Sequence, residues 1–163
     1  MSSKNKKNYN QIFTSRLKEI MKEHDEMTPT ELARVLKCDI HAVSRWLHES
    51  NFPRFSTLLK ITEHFKITID FLLGLSDDET FDRVATTSKF LERLSLLLKG
   101  QNLSKYQLAK ELKIEQATIS KWFAGSYMPE TFYLIKLSNY FEVTIEYLLG
   151  FNDSNIYQKP FSF

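Results

Sequence analysis

The second half of the chain repeats the first half at an offset of 76 positions. Trp46 corresponds to Trp122, and residues 68–74 correspond to residues 144–150 with only like-for-like changes. Near the start of each half the offset becomes 77, so the stretch from His24 to Met27 carries one extra residue. A repeat with this period predicts two similarly folded units in tandem. Further pairs are Leu32–Ala33 with Leu108–Ala109, Leu36 with Leu112, Ser44 with Ser120, Pro53 with Pro129, Phe13 with Phe90, and Leu17 with Leu94.

The composition agrees with two small globular domains. The 163 residues are 42% hydrophobic and 26% charged, which is typical of a folded chain that could hold two small cores. No apolar run approaches the roughly 20 residues of a membrane span, and residues 1–10 are polar and lysine-rich. The single cysteine, Cys38, excludes an intrachain disulfide and fits a reducing compartment. We therefore expect a cytoplasmic protein without a membrane partner.

The net charge by itself does not identify a partner. It is only +2, and an argument for nucleic acid needs basic residues clustered on one surface. Lys and Arg balance Asp and Glu over residues 1–87 and exceed them by two over residues 88–163. The second half is therefore slightly more basic than the first.

Apolar spacing predicts about five short helices in each half and no strands. Ser104 and the pair Thr28–Pro29 are start signals for the second helix of each half, while Glu115 and Asp39 are start signals for the third. Gly100 is expected to end the first helix of the second half. The sequence thus predicts an all-α protein with domains at residues 11–75 and 88–152, a linker at 76–87 and a C-terminal tail at 153–163.

The second and third helices of each half have the pattern of a helix-turn-helix motif, with a small Ala33 or Ala109 where the two helices approach. The run from Ser104 to Gly125, followed by Pro129 and Tyr147–Gly150, resembles the Cro and phage-repressor family, also called the xenobiotic response element family. The first half is similar to the same family. This resemblance implies two five-helix, lambda-repressor-like domains that bind double-stranded DNA in a bacterial or phage regulator, more often a repressor than an activator.

The resemblance also implies that the third helix of each half reads bases in the major groove. If Ile119 and Trp122 point inward, four residues of the second half lie on the opposite face: Gln116, Ala117, Ser120 and Lys121. The corresponding residues of the first half are Ile40, His41, Ser44 and Arg45. Gln116 suits adenine, Lys121 and Arg45 suit guanine, and Ala117 suits a thymine methyl. The two halves are therefore expected to read different sequences.

Contacts with DNA phosphates are expected near the start of the second helix, where Lys105 adds a positive charge and its counterpart Pro29 does not. Further candidates follow the third helix: Asn51 and Arg54 in the first half, and Ser126 and Tyr127 in the second. These contacts would position the protein without reading sequence.

The chain departs from the family pattern in its turns. The glycine usual between the second and third helices is replaced by Lys37 and Lys113, and the glycine after the third helix is present only as Gly125, with Glu49 in the first half. Residues with side chains must then adopt tight-turn conformations at these places. The first half therefore keeps less of the family pattern than the second half does.

Several of these residues also have a purely structural interpretation. Trp46 and Trp122 are expected in the core rather than stacked on bases. Cys38 and His41 are too few ligands for zinc, and no cofactor is expected. The fifth helices, with Phe71 and Tyr147, or the apolar tail, could form a homodimer. The main alternative function is a protein-interaction adaptor or inhibitor. An enzyme is not expected, because no phosphate loop, nucleophile motif or carboxylate cluster is present.

Overall fold

The computed structural model describes residues 3–83 and 90–153, with side chains from residue 8 onward. Within these ranges there are ten helices and no strand, which confirms the all-α prediction. The described residues fall into two compact units, 3–81 and 82–153. The helices of the first unit are α1 (Ser3–Glu23), α2 (Pro29–Leu36), α3 (Ile40–Leu47), α4 (Phe55–Phe65) and α5 (Ile69–Leu72). Those of the second are α6 (Phe90–Gly100), α7 (Lys105–Leu112), α8 (Gln116–Phe123), α9 (Thr131–Phe141) and α10 (Ile145–Leu149).

Each unit encloses its own hydrophobic core. In the first unit, α1 packs against α3 and α5, and α2 packs against α3 and α4. In the second unit, α7 packs against α8 and α9, and α10 packs against α6 and α9. Most of the apolar side chains that the repeat pairs are buried in both cores, including Phe13 and Phe90, Leu17 and Leu94, Leu32 and Leu108, and Trp46 and Trp122. The prediction that both tryptophans are core residues is confirmed.

The predicted helix starts are mostly confirmed. Thr28 and Ser104 are the N-caps of α2 and α7, and each forms a capping box with the side chain three residues on. The Asp39 carboxylate accepts a hydrogen bond of 2.7 Å from the backbone N–H of His41 at the start of α3. Glu115 occupies the N-cap position of α8, but its side chain makes no capping hydrogen bond. The capping role predicted for Glu115 is therefore wrong, and that helix start lacks the stabilisation that Asp39 gives to α3.

The first interhelical loop contains the extra residue that the change in offset predicted. Four residues, 24–27, separate the end of α1 from the N-cap of α2, whereas three residues, 101–103, separate α6 from the N-cap of α7. Asp25 and Glu26 both have left-handed φ angles in the longer loop, at 54° and 51°. In the shorter loop Asn102 has φ 52°. Gly100 is the last residue of α6, as predicted, but it is not left-handed, and the left-handed turn lies at Asn102.

An arginine of the first helix holds the end of the fifth helix in both units. Arg16 donates hydrogen bonds to the carbonyl oxygens of Phe71 (2.5 Å) and Ser76 (2.7 Å), pairs with Asp77, and lies over the Phe71 ring at 4.4 Å. In the second unit Arg93 pairs with Asp153 and lies over the Tyr147 ring at 4.4 Å. We call these two arrangements the arginine clamps. They were not predicted, although the repeat pairs all three residues of one with those of the other.

Much of the predicted linker lies against the units. Besides the contacts of Ser76 and Asp77 with Arg16, the carbonyl of Asp78 accepts a hydrogen bond of 3.0 Å from the Thr68 hydroxyl, and the Lys66 ammonium lies 5.1 Å from the centre of the Phe81 ring. In the second unit Arg83 forms an ion pair with Glu146 at 2.7 Å, with both side chains only 4% exposed. These residues do not form a freely extended linker. Residues 84–89 and 154–163, which include most of the predicted tail, lie outside the described part of the chain.

Candidate nucleic-acid interface

The second and third helices of each unit form the helix-turn-helix geometry. In the first unit the turn residue Lys37 is left-handed (φ 51°), and the N–H of Cys38 returns to the carbonyl of Ala33 at 3.0 Å. In the second unit Lys113 has the same φ, and the N–H of Ile114 bonds the carbonyl of Ala109 at 2.9 Å. The expectation that residues with side chains adopt these tight turns is confirmed, and it extends to Glu49 (φ 57°).

A lysine on the fourth helix of each unit donates a hydrogen bond to the end of the second helix. Lys60 donates to the Leu36 carbonyl at 3.2 Å, and its counterpart Lys136 donates to the Leu112 carbonyl at 2.8 Å. Burial of Lys136, followed by the charge of Lys113, lowers the pKa of the Lys136 ammonium. Each lysine satisfies a carbonyl that the helix end leaves without an intrahelical donor. Neither lysine was predicted from the sequence, although the two lie at the repeat offset.

The third helix of the second unit divides into an inward and an outward face, as predicted. Ile119 and Trp122 are buried, at 0% and 1% exposure, and the Trp122 ring contacts Tyr133 edge-on at 5.5 Å between ring centres. The predicted base-reading residues of this helix are all exposed: Gln116, Ala117, Ser120 and Lys121. A short helix with a buried apolar face and an exposed polar face of this kind is suited to lie in the major groove.

The third helix of the first unit presents a different surface. Val43 and Trp46 are buried, while Ile40 (39%), His41 and Arg45 are exposed. Ser44 is half-buried, and its hydroxyl lies 3.5 Å from Nδ1 of His48. Ser44 is therefore less accessible than its counterpart in the second unit, and Ile40 offers only an apolar contact.

The starts of the second helices differ in charge. In α2 the Glu31 carboxylate accepts hydrogen bonds from the backbone N–H and hydroxyl of Thr28, both at 2.7 Å, and these bonds lower the pKa of Glu31. In α7 the corresponding bond, at 2.8 Å, runs from the N–H of Ser104 to the neutral amide of Gln107. The first unit thus places a negative charge where the second has none. Such a charge repels a phosphate.

The first residues of these helices differ as well. In the second unit the Lys105 ammonium lies over the face of the Phe123 ring, 3.8 Å from its centre. The counterparts in the first unit are Pro29 and Leu47, which border an open groove of about 400 Å³ together with Met21 and Met27. The second unit therefore has a positive charge fixed between the start of α7 and the end of α8, and the first unit has a groove.

The predicted phosphate contacts after the third helices lie on the surface. Asn51, Arg54, Ser126 and Tyr127 are all exposed, Tyr127 at 45%. Tyr106 is exposed at 61%, follows Lys105 in the first turn of α7, and was not singled out from the sequence. Its hydroxyl is a hydrogen-bond donor suited to a phosphate. The only feature of the sequence that could have indicated Tyr106 as a phosphate contact is its position as an aromatic residue at the start of a helix.

The described residues contain no group of three or more His, Cys, Asp or Glu side chains that could hold a metal ion. Burial raises the pKa of the Cys38 thiol, which is the opposite of what a reactive thiolate needs. No helix within residues 3–83 and 90–153 is long and apolar enough to cross a membrane.

Two units that each present an exposed third helix behind a tight turn define a helix-turn-helix protein. Residues 16–78 match the family model described as the Cro/C1-type HTH DNA-binding domain, and residues 94–148 match the model described as helix-turn-helix. The chain therefore carries two tandem helix-turn-helix modules, and the first of them is a Cro/C1-type domain. The resemblance noted in the sequence is confirmed.

Among curated proteins, the chain is similar to the HTH-type transcriptional activator BcrR of Enterococcus faecalis, with 41% identity over 62 residues. The match covers 38% of this chain and 30% of that relative, so this chain spans less than a third of the relative's length. No solved structure gives a significant match.

Proposed function

We propose that the protein is a transcriptional regulator that binds double-stranded DNA sequence-specifically, with the third helix of each module in the major groove. The observation that carries this proposal is the exposed polar row of α8, opposite the buried Ile119 and Trp122. Gln116 pairs with adenine and Lys121 donates to guanine, while Ala117 meets a thymine methyl. In α3, Arg45 is the guanine reader and Ile40 makes apolar contact.

The two modules contribute unequally. The second module offers Lys105 and a neutral capping box, whereas the first offers Pro29 and the Glu31 carboxylate. Because phosphate contacts supply the sequence-independent part of affinity, the second module anchors the complex. The first module adds specificity through Arg45. Asn51, Arg54, Ser126 and Tyr127 are the proposed contacts with the sugar-phosphate backbone.

The test is selection from a random library of double-stranded DNA. The intact chain is expected to enrich two unlike half-sites, with Lys121→Ala relaxing one and Arg45→Ala relaxing the other. Lys99→Ala, which removes an exposed lysine in the last turn of α6, is the matched control and leaves both half-sites unchanged. A chain that enriches nothing at moderate salt is not a sequence-specific regulator.

Repression follows only from the family resemblance, and the one relative described above is named as an activator. The sense of regulation is read directly by placing the enriched site near a reporter promoter. We further propose that the protein acts in the cytoplasm without catalysis. A homodimer through the fifth helices is less attractive, because Phe71 and Tyr147 lie under the guanidinium groups of Arg16 and Arg93.

The second candidate function is a protein-interaction adaptor, and it applies to the first module. Val35 and Ile40 are both 39% exposed there, and Glu31 opposes a phosphate at the start of α2. Exposed apolar side chains suit a protein partner better than they suit DNA phosphates. DNA affinity with a steep salt dependence favours the regulator, since an adaptor releases no counterions on binding its partner.

A further inference from the structure

We propose that Phe123 is a positioning residue, whose ring holds the Lys105 ammonium in place for contact with a DNA phosphate. The inference rests on the proposed function and adds to it a residue that reads no base. Phe123 is the last residue of α8 and Lys105 the first of α7, so their contact joins the two helices of the motif.

The geometry supports an electrostatic contact. The ammonium lies 3.8 Å from the centre of the ring, well within the roughly 6 Å over which an aromatic face attracts a cation. Lys105 is exposed and Phe123 is half-buried, so the ring is fixed by the fold while the ammonium keeps one side open to solvent. A lysine side chain loses rotamer freedom when a contact fixes it, and part of that cost falls away when the side chain is held in place before binding.

The first module is a natural comparison. Its counterparts Pro29 and Leu47 have neither the charge nor the ring, and a groove of about 400 Å³ occupies the place where the second module has this pair. The first module lacks both the lysine and the aromatic ring, and the second module has both. That is the pattern expected if ring and charge act as a unit.

The experiment measures binding of the full-length protein to a random-sequence duplex at several salt concentrations, because non-specific affinity reports phosphate contacts alone. Lys105→Ala is expected to reduce the slope of log K against log salt by about 0.9. Phe123→Leu is expected to weaken binding about two- to five-fold, and Phe123→Trp to restore it. Circular dichroism confirms that each variant is folded.

The decisive measurement is the double variant. In the Lys105→Ala background, Phe123→Leu is expected to have no further effect, because the ring acts only through the ammonium. An equal loss in both backgrounds overturns the proposal and assigns Phe123 a purely structural role. Full binding by Phe123→Leu alone also overturns it.

A second test introduces the lysine and the phenylalanine into the first module. Its result does not depend on how the variants of Lys105 and Phe123 affect the stability of the second module. Pro29→Lys with Leu47→Phe is expected to strengthen binding more than Pro29→Lys with Leu47 retained. Equal binding by the two variants contradicts the proposal. If the unaltered protein binds the duplex without salt dependence, it is the proposed function that fails, and the positioning role falls with it.

Discussion

Cys38 lies in the turn between α2 and α3, and it is half-buried. Burial raises its pKa, with a smaller contribution from Asp39, against an opposing effect of Lys60. A raised pKa leaves less thiolate at a given pH, so alkylation by iodoacetamide is expected to be slower in the native protein than in urea. The midpoint of the pH–rate profile should lie higher in the native protein. Because the chain has one cysteine, mass spectrometry reads the rate directly, and a native midpoint at or below the denatured one contradicts the prediction.

At this scale the sequence predicts burial well and side-chain partners poorly. Helical periodicity placed Ile119 and Trp122 inside and Gln116 and Lys121 outside, as the structure has them. The contact between Lys105 and Phe123 joins residues 18 positions apart, and periodicity within either helix carries no information about it. Ser44, half-buried next to His48, shows the same limit, since the pattern predicted the same exposure as for Ser120.

The starts of the two third helices provide a test of capping. Asp39 accepts the His41 N–H at 2.7 Å, whereas Glu115 makes no capping hydrogen bond. Asp39→Ala is expected to lower the free energy of unfolding by about 1 kcal/mol, and Glu115→Ala to change it little. Urea denaturation of both variants measures the difference. Equal losses would mean that the longer glutamate side chain caps α8 in solution.

The left-handed turns predict a stabilising substitution. Lys113 has φ 51°, a conformation that costs a residue with a side chain roughly 1–2 kcal/mol. Burial lowers the pKa of the Lys136 ammonium, and the charge of Lys113 lowers it further. Lys113→Gly is expected to raise the free energy of unfolding by about 1 kcal/mol, after the greater flexibility of glycine in the unfolded chain is subtracted.

Lys113→Ala is the matched control, because it removes the same charge and keeps the conformational strain. A gain in urea denaturation that is shared by both variants assigns the effect to the charge. A gain confined to the glycine variant assigns it to the backbone.

Helix positions and caps could be predicted because both depend on residues close in sequence. Thr28 and Ser104 were recognisable as N-caps without knowledge of the fold. The arginine clamps join α1 or α6 to the residues after the fifth helix, about 60 positions away, so only the pairing of the two repeats could have revealed them. Gly100 ends α6 as its residue type predicted, but the left-handed turn lies two residues further on, at Asn102, which the sequence did not indicate.

At the scale of the whole chain, Arg83 shows that a residue assigned to the linker stabilises a module. Its ion pair with Glu146 has both side chains 4% exposed, and its guanidinium lies 4.3 Å from the centre of the Phe151 ring. Arg83→Met is expected to destabilise the second module by about 3 kcal/mol, because it leaves a buried carboxylate without its cation. Calorimetry of the full chain is expected to show one transition shifted and the other unchanged.

The double variant Arg83→Met with Glu146→Leu is the control, and it is expected to recover most of the loss since no charge is then buried alone. If the single variant leaves both transitions in place, the ion pair contributes nothing to the second module. The domain start that the sequence suggested, residue 88, omits Arg83. Repeat matching stops at the ends of the helices and does not detect such extensions.

The arginine clamps have a consequence for how the chain folds from its denatured state. Arg16 and Arg93 each contact an aromatic residue and an aspartate six residues after it. The unfolded chain therefore offers each arginine two similar binding sites, one in its own repeat and one in the other. If the first helix of one repeat pairs with the last helix of the other early in folding, the chain is in a kinetic trap. The mispaired helices must then separate before the native modules can form. We therefore expect refolding of the intact chain to include a slow phase that is lost when Arg16 is replaced by methionine.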